Sequence, residues 1–309
     1  MATTVPAAGA AVNPSSPRRR RIDAGAKYVF LMPAMLYLIL LGVFPLLFSL
    51  YLVFGNWQAG QKTIQFVGLA NIQSMIADDR FWGAFRTTMF YVAFVSFVEL
   101  FVGFLIALAL QNLTRGKEAL RGALALPMLL TPIAVAFTWK MLFDYNKGPL
   151  NFFLASLGLP RNAWLAGQRS AIFSIALVDI WQWTPFIIVA ALAALESLPT
   201  ELYEAATVDG ASPWDLLLQI TLPLIQPYLV AIVLLRAIDA FKVFDTIYIL
   251  TGGGPGTATE MLTFYAYVAG FRPFNMGFTS TVSWALVIIM TVIFLVYLRV
   301  FRRLDAEEA

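Results

Sequence analysis

Six apolar stretches, each long enough to cross a membrane as a helix, dominate this sequence. A bilayer core of about 30 Å is spanned by roughly 20 apolar residues in helical conformation. Backbone N–H and C=O groups find no water there, so each stretch must satisfy its own hydrogen bonds by forming a helix. We therefore predict an all-α membrane protein with six transmembrane helices. The stretches cover residues 28–54, 87–111, 119–143, 171–195, 223–249 and 278–300.

Composition excludes several other classes of protein. Of the 309 residues, 60% are hydrophobic and 13% are charged, whereas about a quarter of the residues in a soluble domain are charged. The sequence contains no Cys and no His, which excludes disulfides, thiolate metal sites, zinc hydrolases built on histidine and serine–histidine enzymes. Its basic residues lie at the ends of the apolar stretches and form no stripe, so we expect no nucleic-acid partner.

The N-terminal region predicts the orientation in the membrane. Residues 1–27 are rich in Ala, Pro and Ser and end in four consecutive arginines and Lys27, which is typical of a disordered basic tail. The apolar stretch that follows has no cleavage-like end, so we expect a retained helix rather than a signal peptide. With this tail in the cytosol, the inner segments hold eleven Lys and Arg and the outer segments eight. We therefore predict that both termini are cytosolic and that residues 28–309 form a membrane domain whose spans contact lipid.

The loop over residues 196–222 would then lie in the cytosol, and its sequence predicts structure. Pro199 can open a helix at its first turn, and Gly210 can close it in a left-handed conformation. Ser212 is expected to cap a second helix, because a proline follows it and Asp215 lies three residues further on. We expect two short helices at an angle over residues 199–219.

Pro223 should end or kink the second short helix where the chain re-enters the membrane. The first helix exposes the small residues Ala205 and Ala206 between Glu204 and Asp209. The whole loop holds five acidic residues and no basic ones. These features suit docking of a cytosolic partner, although an inert hairpin joining two spans would fit the residues equally well.

The order of residues in this loop resembles a known signature. Glu204-Ala205-Ala206, then Gly210, then Ile220-x-Leu222-Pro223 is similar to the EAA motif of binding-protein-dependent ABC importer permeases. The resemblance implies a type I ABC importer transmembrane domain over residues 28–309, in which the loop is a coupling helix that contacts an ATPase subunit. The coupling residues that it implies are Glu204, Ala205, Ala206, Asp209 and Gly210.

Further segments narrow the resemblance to the first permease of carbohydrate importers of the maltose and glycerol-3-phosphate type. These segments are residues 66–71, 148–151, 179–181, 203–206 and 251–255. The resemblance implies a second, homologous permease of the MalG type, two ATPase subunits and an extracytoplasmic solute-binding protein. It also implies a sugar or polyol as cargo and a bacterial or archaeal cell (inner) membrane as location. ATP and Mg would be bound by the ATPase partners, so we expect no cofactor and no catalytic residue in this chain.

Two of the apolar stretches each carry polar and aromatic residues at a spacing that places these residues on one face of the helix. Polar residues in a membrane helix are costly and usually face a cavity or another helix. Carboxylates and amides bond to hydroxyls, and aromatic rings stack on sugars, so two facing stripes would form a polyol site. The predicted cavity residues are Asp179, Gln182, Trp183 and Phe186 in the fourth stretch and Leu235, Asp239 and Lys242 in the fifth.

The resemblance aligns six of these residues, all but Leu235, with the solute contacts of maltose-type permeases. From the residues alone, Arg236 with Asp239, or Asp239 with Lys242, could instead form ion pairs that only neutralise charge between helices.

Three further features suggest other functions. The glycine-rich segment 251–259 lacks the Gly-Lys-Ser/Thr of a phosphate-binding loop and predicts a flexible turn at an external gate. Asp239 and Asp245 could bind a proton or Na⁺ in a secondary transporter. A membrane enzyme would need a catalytic group of residues, and the adjacent acidic pair Asp78 and Asp79 lacks supporting ligands, so we interpret it as a solvated turn. Neither a secondary transporter nor a membrane enzyme explains the EAA-like loop.

Overall fold

The computed structural model describes residues 17–58, 60–113 and 115–307. The chain forms two compact units, with the boundary between Tyr51 and Leu52. In the first unit, α1 (Pro17–Leu38) is followed by a π-helical segment, Ile39–Val43, and by α2 (Phe44–Val53), which ends just beyond the boundary. Residues 28–53 are apolar enough to span a membrane, with a mean hydropathy of 2.4.

The basic tail differs in part from the prediction. Its residues from Pro17 onward form the first turns of α1, while residues 1–16 lie outside the described residues. Arg and Ala have high helix propensity, so the helix extends toward the N-terminus beyond the apolar stretch and includes the four arginines.

The second unit is also almost entirely helical. Within the described residues it has one two-stranded sheet, which pairs β1 (Gly55–Asn56) with β2 (Gln65–Phe66) antiparallel. The helices are α3 (Ala70–Ile76), α4 (Asp79–Gln111), α5 (Lys117–Ala125), a 3-10 turn (Leu126–Leu129), α6 (Pro132–Leu142), α7 (Pro149–Ser156), α8 (Gln168–Glu196), α9 (Thr200–Val208), α10 (Pro213–Asp215), a π-helical segment (Leu216–Thr221), α11 (Leu222–Phe241), α12 (Asp245–Leu250), α13 (Leu262–Phe271) and α14 (Met276–Glu307).

Five helices of the described chain are long and apolar enough to cross a membrane, or six if a broken pair counts as one span. The prediction of an all-α membrane protein is confirmed, but two of the predicted spans differ in shape. The third is broken into Lys117–Leu129 and Pro132–Leu142, which meet at 90°. The break follows from Pro132, which disfavours helical backbone at the residue before it, and Thr131 is extended with ψ 135°.

The fifth span begins and ends earlier than predicted. It runs from Pro213 to Phe241, and residues 245–250 form the separate helix α12. The apolar run is interrupted by Lys242 and Asp245. A carboxylate in the first turn favours a new helix start at that point. At the other end of α12, the Lys140 ammonium donates to the carbonyl oxygen of Ile249 at 2.7 Å, which ties α12 to α6.

The centre of the second unit is α8, which packs most closely against α4. In its candidate span 61% of the residues are buried, compared with 33% in α4 and 17% in the other two spans of this unit. Close approach depends on Gly103 of α4, since a Cβ atom there would lie 2.7 Å from the side chain of Ile187 in α8.

We therefore expect Gly103→Ala to lower the thermal stability of the detergent-solubilised protein. The added methyl group forces α4 and α8 apart, and such overpacking costs roughly 1–3 kcal/mol. Gly83→Ala in the same helix is the control, because no atom lies within 4 Å of its added Cβ. It should be neutral or more stable by up to about 1 kcal/mol. Equal melting temperatures for the two variants would contradict this account of the packing.

Candidate functional site

Two adjoining cavities lie where α8, α11 and α12 approach the break between α5 and α6. The first has a volume of about 210 Å³ and the second about 290 Å³. Both are lined by Trp183, Arg236 and Asp239. The first adds Pro132, Asp179, Gln182, Lys242, Val243, Phe244, Asp245 and Thr246, and the second adds Phe186 and Leu235.

All seven residues that the sequence singled out for a cavity line one or both of these spaces. The two sets of residues, one on α8 and one at the end of α11, therefore face the same pair of cavities. Their contact with a solute stays a prediction.

A buried cluster of three charges on three helices adjoins the cavities, and two of its members, Asp179 and Arg236, line the first cavity. Arg236 of α11 lies between Glu99 of α4 and Asp179 of α8, and all three side chains are almost fully buried. Arg236 Nη2 donates to Glu99 Oε1 at 2.9 Å, and Nε lies 2.6 Å from Glu99 Oε2. The same guanidinium donates to Asp179 and lies 5.8 Å from the ring centre of Trp183. Arg236 therefore links α4, α8 and α11 and supports an aromatic side chain of the wall.

This cluster settles which ion pairs form. Arg236 does not pair with Asp239, since its partners are Asp179 and Glu99. Asp239 instead pairs with Lys242 at 3.1 Å within one turn, and both side chains are exposed. The pair is thus within one element and not between helices. Sequence reasoning did not identify Glu99, although a single carboxylate in a long apolar helix signals a buried partner.

Gln182 has a structural contact at the broken span. Its side-chain Nε2 donates to the carbonyl oxygen of Leu130 at 3.0 Å. That carbonyl lies in the extended break between α5 and α6, where no helical N–H reaches it. A carbonyl that is kept from water without a partner costs up to roughly 1–3 kcal/mol, and this hydrogen bond is part-buried. Gln182 therefore stabilises the break beside the cavity.

The loop after α8 forms the first of the two predicted short helices, α9, whereas the predicted second one is the capped start of a long helix that begins at Pro213. At the end of α9, Ala211 N–H bonds to the Ala206 carbonyl at 2.9 Å and Gly210 N–H bonds to the Thr207 carbonyl at 3.1 Å. Gly210 has φ +85°, so this is a Schellman ending that requires a left-handed residue. Ser212 and Asp215 form the expected reciprocal capping box.

The helix does not end at Pro223, which was one of the two outcomes predicted for this residue. The helix that begins at Pro213 continues through Pro223 to Phe241 as one 29-residue helix. A π-helical segment, Leu216–Thr221, ends two residues before the proline, and Leu222 N–H bonds to the carbonyl of Leu217. This wider turn accommodates a residue that has no N–H and whose ring crowds the preceding turn.

The exposed surface of this loop is formed by α9 and the start of α10. Glu204, Ala205, Asp209 and Gly210 are exposed and Ala206 is half-buried. Two large apolar side chains project beside them: Val208 is 87% exposed and Trp214 is 70% exposed. The Tyr203 and Thr221 hydroxyl oxygens lie 3.0 Å apart and hold α9 against the π-helical segment. An exposed apolar surface on a braced helix is typical of a site that contacts another protein.

The glycine-rich segment differs from the flexible turn that was predicted. The hydroxyl oxygens of Thr251 and Thr259 are 2.8 Å apart, and Thr259 donates to the Gly254 carbonyl at 2.8 Å. The neighbouring Glu260 is buried and accepts two hydrogen bonds from Arg80 at 2.8 and 2.9 Å. The paired hydroxyls brace the segment internally, and the ion pair of Glu260 with Arg80 ties its end to the start of α4.

The acidic pair Asp78 and Asp79 lies at the start of α4. Asp78 is the N-cap, accepting from Arg80 N–H at 2.8 Å and from the Tyr265 hydroxyl at 2.5 Å. Its carboxylate is therefore used in capping and bracing. Within the described residues, no group of three or more potential ligands could hold a metal ion.

Comparison with known proteins identifies the class. Residues 99–307 match the family described as the inner membrane component of binding-protein-dependent transport systems, and the chain belongs to this family. It is a multi-pass membrane protein and a permease subunit, distinct from the subunits that hydrolyse ATP. The resemblance found in the loop is thereby confirmed.

Similar proteins cover nearly the whole chain. A probable ABC transporter permease of Sinorhizobium fredii is 36% identical over 293 residues, which cover 94% of this chain and 93% of the relative. The trehalose/maltose transport system permease of Thermococcus litoralis is 34% identical over 91% of this chain and 96% of its own. A chain in the crystal structure of a bacterial alginate ABC transporter has a TM-score of 0.82 at 21% identity, covering 94% of this chain and 98% of that one. At this identity the last likeness shows the fold alone.

The buried charge cluster predicts an asymmetric response to substitution. Arg236→Met leaves two carboxylates without their cation and should destabilise the solubilised protein by about 3–5 kcal/mol. The triple variant with Glu99→Gln and Asp179→Asn should recover most of the loss, because no unpaired charge remains. Lys242→Met breaks only the exposed pair and should change stability by no more than about 1 kcal/mol. Thermal unfolding of the three variants measures this, and a triple variant no more stable than Arg236→Met would refute it.

Proposed function

We propose that this chain is a permease subunit of an ATP-driven importer that carries a sugar or related polyol. The observation that carries this proposal is the composition of the two adjoining cavities. Carboxylates, an amide, an ammonium group and aromatic rings line them at a broken membrane helix. Irregular backbone inside a membrane protein commonly lies at a substrate cavity. Aromatic faces and hydrogen-bonding groups together suit a solute with apolar ring faces and many hydroxyls.

The relatives support this substrate class. Three of them are named as permeases of systems for trehalose and maltose, trehalose, and diacetylchitobiose. Each cavity alone, at about 210 and 290 Å³, is smaller than the roughly 300–1,000 Å³ typical of pockets for larger ligands. One or two sugar units would therefore occupy the adjoining spaces together, with Trp183 between them.

The second part of the proposal concerns the energy source. We infer that the loop of α9 and α10 is cytosolic and docks into an ATPase subunit through Glu204, Ala205, Ala206, Asp209 and Gly210. ATP and Mg would be bound by two such subunits, and a second permease of the MalG type would complete the pathway. A solute-binding protein would deliver the cargo outside, and both termini of this chain would be cytosolic. Closure of the ATPase subunits would move the loop, and the loop is continuous with α11, which carries Arg236 and Asp239.

A backbone substitution at Gly210 tests the docking loop. Gly210→Val places a β-branched residue at φ +85°, where no neighbouring atom lies within 4 Å, so the added strain is that of the backbone. Left-handed backbone costs an L-residue about 1–2 kcal/mol. We expect at least a tenfold loss of uptake and weaker co-purification with the ATPase, while membrane insertion is unchanged. Glu204→Lys should act similarly through reversed charge.

The matched control is Gly158→Val, also at positive φ (+73°) and in open space but in the loop after α7. It should retain uptake. Normal uptake and normal ATPase association in both Gly210→Val and Glu204→Lys would exclude this loop as the coupling element.

Substitutions at two tryptophans, two residues apart in the sequence, test whether the cavity contacts the solute. Trp183→Ala removes an aromatic ring shared by both cavities and should reduce saccharide uptake by about tenfold or more without loss of assembly. Trp181→Ala removes a ring that lies 5.7 Å from Trp139, outside both cavity linings, and should affect uptake much less. Radiolabelled uptake by the reconstituted transporter measures both variants. If the two change uptake equally, or if neither does, Trp183 does not contact the solute.

A further inference from the structure

The charges around the first cavity are not balanced. Among the residues that line it, Asp179, Asp239 and Asp245 contribute three carboxylates, and Arg236 and Lys242 contribute two cations, so their formal charge is −1. Arg236 is enclosed by Glu99 and Asp179. The ammonium of Lys242 is held by Asp239 at 3.1 Å. Both cations of the wall therefore already have carboxylate partners.

Asp245 is the one carboxylate lining this cavity that has no cation as a partner among the described residues. It lines the cavity at the start of α12 and is half-buried. Its side chain does not cap its own helix, and within the described part of the chain no cation or hydrogen-bond donor contacts its carboxylate. The residues beside it do have fixed environments: Thr246 is buried, and the Val243 carbonyl accepts from the Thr263 hydroxyl at 2.6 Å. Asp245 is thus an acceptor without a donor on a well-supported wall.

An ionised carboxylate only accepts hydrogen bonds, so its partner must carry O–H or N–H groups. A partly enclosed carboxylate also repels other anions, because charge is screened less away from bulk water. Sugar hydroxyls and amino-sugar ammonium groups meet both conditions. Uronate, sulfate and phosphate groups do not.

We propose that Asp245 accepts a hydrogen bond from a hydroxyl or ammonium group of the solute, and that the negative wall around it excludes acidic saccharides. The solute class would then be neutral or amino saccharides. This inference rests on the proposed function, since it needs the cavity to be the site of the solute.

The test uses the complete transporter in proteoliposomes, with its second permease, ATPase and binding protein. The probes are radiolabelled trehalose, maltose and diacetylchitobiose, with digalacturonate as the acidic counterpart. Asp245→Asn should lower the maximal uptake of the transported neutral probe by about tenfold, the effect of one charge-assisted hydrogen bond. The half-saturating concentration should change little, because the binding protein sets it. Asp245→Glu, which retains the charge, should recover part of the rate.

The matched control is Asp79→Asn, which removes an exposed carboxylate at the start of α4, outside the cavity, and should leave uptake unchanged. Thermal stabilisation of the permease–ATPase complex by free sugars adds a readout that bypasses the binding protein. Wild type should be stabilised by the neutral sugar and not by digalacturonate, and Asp245→Asn should reduce this discrimination.

Three outcomes would overturn the inference. If Asp245→Asn transports and discriminates as Asp79→Asn does, Asp245 does not contact the solute, and the proposed function stands. If Asp245→Glu is as impaired as Asp245→Asn, the effect is not that of a charged acceptor. If the wild-type transporter carries none of the saccharides, the proposed function fails and the inference fails with it.

Discussion

The lack of water inside a bilayer is the constraint on which the rest of this structure depends. Every charge and every carbonyl without a helical partner must be satisfied by the chain itself. Arg236 meets this demand with two carboxylates from two other helices. Gln182 meets it for the carbonyl of Leu130 at the broken span. These contacts lie around the same cavity, so the groups that would be most costly in lipid also form its wall.

The same constraint governs how prolines are accommodated. In both units a π-helical segment ends two residues before a proline: Ile39–Val43 precedes Pro45, and Leu216–Thr221 precedes Pro223. A wider turn relieves the crowding by the proline ring without ending the helix. In the second case the result is a continuous helix from the exposed loop to Asp239. A displacement of the loop therefore has a direct mechanical path to the cavity wall.

Features that depend on neighbours in the chain were predictable. The ending of α9 at Gly210 follows from left-handed geometry, and the capping box follows from Ser212 and Asp215. The stripe on α8 follows from helical spacing, which placed its residues on one cavity wall. The break at Thr131, the continuation through Pro223 and the bracing of the glycine-rich segment were not predicted. In each case the local sequence allows several backbone conformations, and contacts with other parts of the fold determine which one forms.

By itself, the sequence determined that this chain is a helical membrane protein with an exposed, capped loop, because hydropathy and capping are local properties. It also identified the faces that meet at the cavity, because helix periodicity is fixed. Only the tertiary structure decided which charges pair. Glu99 lies 137 residues from Arg236 along the chain, and ion pairs between distant helices depend on packing. That packing leaves Asp239 with Lys242 and leaves Asp245 unpaired among the described residues, so the chemistry offered to a solute is a property of the fold.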